Sequence, residues 1–61
     1  MKIIPATIHE IPRGSTYRCY TGTPDQAAMA FNMTYGRPPA VIYTVTVKPG
    51  GGVVNYCEVA G

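Results

Sequence analysis

From Ala40 to Lys48 the chain alternates in a way that defines two faces: Val41, Tyr43, Val45 and Val47 point one way, Thr44, Thr46 and Lys48 the other. A run this rich in β-branched residues predicts a strand. Pro49-Gly50-Gly51-Gly52 follows as a turn, and Val53 to Val59 is expected to return as the antiparallel partner, closing a hairpin. Ser15 to Thr21 reads as another strand, bounded by Arg13-Gly14 and Gly22, with Tyr17, Cys19 and Thr21 on one face and Arg18 and Tyr20 on the other. Near the N-terminus, Lys2 to Ile11 alternates Ile4, Ala6 and Ile8. Pro5 lacks the N–H that an interior ladder needs, so this segment is predicted as an edge strand.

The periodicity changes after Gly22. Thr23 can cap free backbone N–H groups, Pro24 suits a first helical position, Asp25 complements the helix dipole, and Gln26 completes a capping box. A helix is predicted to about Tyr35, closed by Gly36 in a left-handed conformation and barred from continuing by Pro38-Pro39. At about 100° per residue, Ala27, Ala28, Phe31 and Tyr35 form a stripe that should pack on a sheet. Met29, Ala30 and Met33 form a second stripe, and Asp25 is the one charge in the helix. The expected fold is therefore α+β, in the order strand, strand, helix, strand, strand: a small antiparallel sheet of three to four strands with the helix on one face. One helix covers one sheet face, so the other is left to water or to a partner.

Length confines this to a single domain over residues 1–61. With 46% hydrophobic and 13% charged residues the chain is expected to fold rather than remain disordered. A formal charge of +2 permits a polyanionic partner without demanding one. The longest apolar stretch, Ala27 to Phe31, is far below the roughly 20 residues of a membrane span. With Lys2 and Pro5 inside its opening segment the chain does not read as a signal peptide, and the initiating Met suggests a complete small gene product. The expectation is a cytoplasmic protein, with no role at a membrane and with Cys19 and Cys57 reduced and packed.

Few residues suggest chemistry. His9-Glu10 would point to opposite faces of a strand and could not act as a base and its orienting group. A Cys–His nucleophile would need His9 beside Cys19 or Cys57, which the spacing neither supports nor forbids, and one His with two distant Cys does not resemble a zinc site. Gly50-Gly51-Gly52 runs into a strand, not into the helix N-terminus that a phosphate loop requires. Gly22-Thr23-Pro24 does open a helix, but Thr23 and Gln26 are expected to take up its donors. No catalytic residue, metal ligand or cofactor is assigned.

Two sets of residues remain. Met29, Ala30 and Met33, with Arg18 and Tyr20, are candidate interface residues, because Tyr, Arg and Met favour protein contacts and the second helix stripe has nothing in the chain to bury it. Arg18, Tyr20, Arg37, Lys48 and Tyr56 could instead offer guanidinium and ring planes to bases. The first set predicts a non-enzymatic binding protein, an inhibitor or adaptor that contacts a protein partner and forms a homodimer through the methionine stripe. Size and make-up give it the general look of the small proteins with which viruses and mobile elements block larger host complexes. The second set predicts a nucleic-acid or nucleotide binding module.

Overall fold

The computed structural model describes residues 1–47 and 49–59. The elements are β1 (Lys2–Ala6), a turn of 3-10 helix (Ile8–Glu10), β2 (Tyr17–Thr21), α1 (Pro24–Tyr35), β3 (Val41–Val47) and β4 (Gly52–Glu58). The ends of α1 are fixed as the sequence predicts. The Gln26 amide donates to Thr23 Oγ1 at 3.2 Å, and the Thr23 amide donates to Gln26 Oε1 at 3.0 Å. At the far end Gly36 takes φ +73° and its N–H donates to the Asn32 carbonyl at 2.8 Å. Gly22 takes φ +98°, and a Cβ there would also collide with the Gln26 side-chain oxygen of the capping box.

The four strands lie in the order β1-β3-β4-β2. Pairing is antiparallel for β3 with β4, as expected of the hairpin, and for β4 with β2, but β1 runs parallel to β3, so the sheet as a whole is mixed and not the antiparallel sheet expected. The reason lies in the connections. A strand lying parallel to its neighbour requires a crossover, and the long path from β1 through β2 and α1 to β3 supplies it. The edge position of β1 holds as predicted. Lys2 donates to the Ala40 carbonyl at 2.9 Å, so Lys2, Ile4 and Ala6 direct their backbone groups at β3 and Pro5 turns its nitrogen outward, where a missing N–H costs nothing.

The first strand is shorter than the alternation suggests. It ends at Ala6, because the Thr7 amide donates to Glu10 Oε1 at 2.8 Å and the Glu10 amide donates to the Thr7 carbonyl at 3.0 Å. This local closure turns Ile8, His9 and Glu10 out of the extended chain. His9 and Glu10 are thus turn residues, not neighbours on a strand.

The helix packs on β2, β4 and β3. Ala27 and Phe31 are fully buried against Ile42 and Cys57, with Tyr20, Ala28 and Val59 partly buried around them. Tyr35 sits at the margin of this stripe, exposed, its ring 4.5 Å from that of Phe31. Asn55 is the one fully buried polar residue described, and its amide nitrogen donates to the Tyr20 carbonyl at 3.2 Å and the Gly22 carbonyl at 2.9 Å. That pair of bonds ties the end of β2 and the turn into α1 to the central strand.

The opposite sheet face carries Tyr17, Tyr43 and Tyr56, with Tyr17 edge-on to the other two rings at 6.0 and 6.5 Å. It is not left wholly to solvent, as one helix in the sequence suggested. Residues 7–16 pass over it, held where the Tyr17 hydroxyl donates to the Pro12 carbonyl at 2.9 Å. No described helix is long and apolar enough to cross a membrane.

Phe31 is the largest side chain of the core, and no other aromatic residue is fully buried among those described. Phe31→Ala should cost about 3 to 5 kcal/mol, comparable to the whole stability of a domain this size. Met33→Ala, on the outer face of the same helix, should shift stability by less than about 0.5 kcal/mol. Urea unfolding followed by circular dichroism compares the two.

Candidate functional site

The outer face of α1 follows from its phase. Fixing Ala27 and Phe31 on the sheet turns Met29 and Met33 to solvent, where they are 67% and 87% exposed. Ala30 lies between the two faces, half-buried. No lysine or arginine stands in the helix to shield these side chains, and Asp25 lies in the first turn, away from Met33. A polarizable, flexible thioether pair on a rigid helix is an adaptable apolar contact surface. Of the five residues assigned to the interface, Met29, Ala30 and Met33 therefore share one helix. Arg18 is exposed on the helix side of β2, and Tyr20 is drawn partly under the helix.

The second set does not assemble. Tyr20 packs against the core and its hydroxyl is buried without a partner among the described residues, as is Asn55 Oδ1 beside it. Its ring is held by packing and offers no free plane for stacking. Tyr56 pairs with Cys19 across the sheet and belongs to the face opposite Arg18 and Tyr20, because adjacent strand positions point to opposite sides. Arg37 lies beyond the end of α1 with its guanidinium 5.6 Å from the centre of the Phe31 ring, where it helps to cover the core. Lys48 lies outside the described residues.

A feature the sequence reading missed is a cleft of about 470 Å³ between the 7–16 connection and the tyrosine face, lined by Ile8, His9, Ile11, Pro12, Arg13, Gly14, Ser15, Tyr17 and Tyr56. Glu10 is turned away to cap Thr7, so Arg13 is the one permanent charge in the lining. The signal that could have found it is Thr7-x-x-Glu10, a capping-box spacing that announces a turn where the apolar alternation suggested continued strand.

The two thiols are free and lie on opposite faces: Cys19 pairs with Tyr56 on the tyrosine face, whereas Cys57 is sealed under Phe31. Burial, and then the nearby Cys19, push the Cys57 thiol above its ordinary value. His9 lines the cleft on the face away from Cys57, and Cys19 does not line that cleft. Among the described residues no group of three or more His, Cys, Asp or Glu side chains could hold a metal ion. At the opening of α1, Thr23 and Gln26 hold each other's amides, as expected of a capped terminus.

Comparison with protein-family models, curated proteins and solved structures finds no match to this chain.

Two outcomes follow from the thiols. At mildly alkaline pH a maleimide should label Cys19 in the native protein and reach Cys57 only after denaturant is added, as mass spectrometry of the intact chain reads directly. The folded state also favours the neutral Cys57 thiol. Its contribution is whole at low pH and falls as pH rises past 9.0, the ordinary value for a thiol. The stability gap between wild type and Cys57→Ala should therefore narrow above that pH in denaturant titrations.

Proposed function

We propose that the chain is a small non-enzymatic binding protein that acts through protein–protein contacts, as an inhibitor or adaptor of a larger complex. The exposure of Met29 and Met33 on a rigid helix carries this reading. Interface cores are enriched in methionine and depleted of charge, and this helix face has both properties. Arg18, exposed on the neighbouring strand, adds a cation at the margin of the same side of the sheet. Among the described residues His9 lines a cleft that Cys19 does not line, and Cys57 lies in the core on the other face of the sheet, which supports the non-enzymatic half of the proposal. The rival, a nucleic-acid or nucleotide binding module, has weaker support, since Tyr20 is packed and Tyr56 lies on the other face from Arg18.

A methionine buried fully at an interface contributes about 1.5 kcal/mol or more, so Met29→Lys with Met33→Lys should weaken partner binding at least about tenfold while leaving the circular dichroism spectrum unchanged. Binding measured against the captured partner should respond weakly to salt. Recovery of nucleic acid alone, released steeply as salt rises and insensitive to the double substitution, would favour the rival reading instead.

A further inference from the structure

The sheet has two outer edges, and they differ in chemistry. On β1 the outward backbone positions are Ile3 and Pro5, so proline removes one of the donors another strand would need, and Lys2 adds charge to the edge. On β2 the phase is set by the Val59 amide, which donates to the Thr16 carbonyl at 2.8 Å. In an antiparallel ladder mutually bonded pairs alternate with unbonded ones, so Arg18 with Cys57 and Tyr20 with Asn55 are the bonded pairs. Tyr17, Cys19 and Thr21 then present their N–H and C=O groups outward. Among the described residues no other backbone or side-chain group bonds to these six. The edge has no proline, and Cys19 and Thr21 are exposed.

We propose that this edge takes a second copy of the same chain, with β2 pairing antiparallel to its own copy about a two-fold axis at Cys19. The strand is self-complementary in that register. Cys19 meets Cys19 of the second copy and Tyr17 meets its Thr21, each a mutually bonded pair, so every outward N–H and C=O of β2 finds a partner. Arg18 falls opposite Tyr20 of the second copy, so no two like charges face each other across the seam. A two-fold contact of this kind closes on itself, joining two four-stranded sheets into one and leaving the proline-guarded β1 edges outermost. This interface is separate from the Met29 and Met33 face, so the two readings can fail independently.

Cys19 is exposed, which allows its side chain to be changed without disturbing the core. Sedimentation equilibrium of the full chain from micromolar to millimolar concentration should show a monomer–dimer equilibrium. Cys19→Lys and Cys19→Glu each place like charges face to face at the axis and should each raise the dissociation constant about fivefold or more. An equimolar mixture of the two variants should restore dimer, whereas Met33→Lys should leave the dissociation constant of the otherwise unaltered chain where it was. The proposal is overturned if the unaltered chain stays monomeric throughout, if the charge variants dimerise as well as it does, if mixing restores nothing, or if Met33→Lys dissolves the dimer. A monomer that pairs through β2 only with an added extended peptide would assign the edge to an unlike partner and equally reject the second copy.

Discussion

The insertion of β4 between β3 and β2 is the constraint on which the rest of this structure depends. Because β4 runs antiparallel to both, β2 and β3 are parallel to each other, and β1 is parallel to β3 as well. Each of the two connections β1 to β2 and β2 to β3 must then cross the length of the sheet, from the end where one strand finishes back to the end where that strand began. The first travels from one outer edge to the other, about 14 Å across at ordinary strand spacing. The second comes most of the way back. Crossovers of a common hand that move in opposite directions fall on opposite faces of a sheet. The helix does cover one face, and the 7–16 connection covers the tyrosines on the other.

This arrangement explains how so short a chain buries both sides of its sheet while using a single helix. The helix side is sealed by Phe31 and Ala27 over Ile42 and Cys57, whereas the other side relies on three tyrosine rings and an irregular connection. The irregular cover is looser, and a cleft remains under it. Asn55, buried in the middle strand, is tolerated because its amide replaces water with two backbone carbonyls at the point where β2 turns into α1. A polar group in so small a core thus fixes the position of the helix that covers it.

The surfaces left over follow from the same economy of chain. A helix held by one stripe in a two-layer fold must present its other stripe outward, and here that stripe is Met29 and Met33. The sheet, being open, has edges, and the protection they carry is unequal: Pro5 and Lys2 on β1, Arg18 without a proline on β2. An apolar helix face and a strand edge without proline are both features for which contact with another chain offers a physical resolution.

Local chemistry determined the helix and its limits, since Thr23, Gln26 and Gly36 act through atoms a few residues apart and need no tertiary partner. It also determined the hairpin of β3 and β4, the edge position of β1 through Pro5, and the α+β order of elements. Alternation sorted Arg18 and Tyr20 correctly from Tyr17 and Cys19, but it is blind to which face receives the helix. On β3 the helix lies over Ile42, not over the more uniformly apolar face of Val41, Tyr43, Val45 and Val47. That choice belongs to topology, as does the separation of Tyr56 from Arg18, because a residue's face relative to another strand depends on register and pairing and not on its own neighbours in sequence. Only the tertiary structure could place β1 beside β3 and turn the connection after Ala6 back over the tyrosines, since both depend on a strand order that long-range pairing sets.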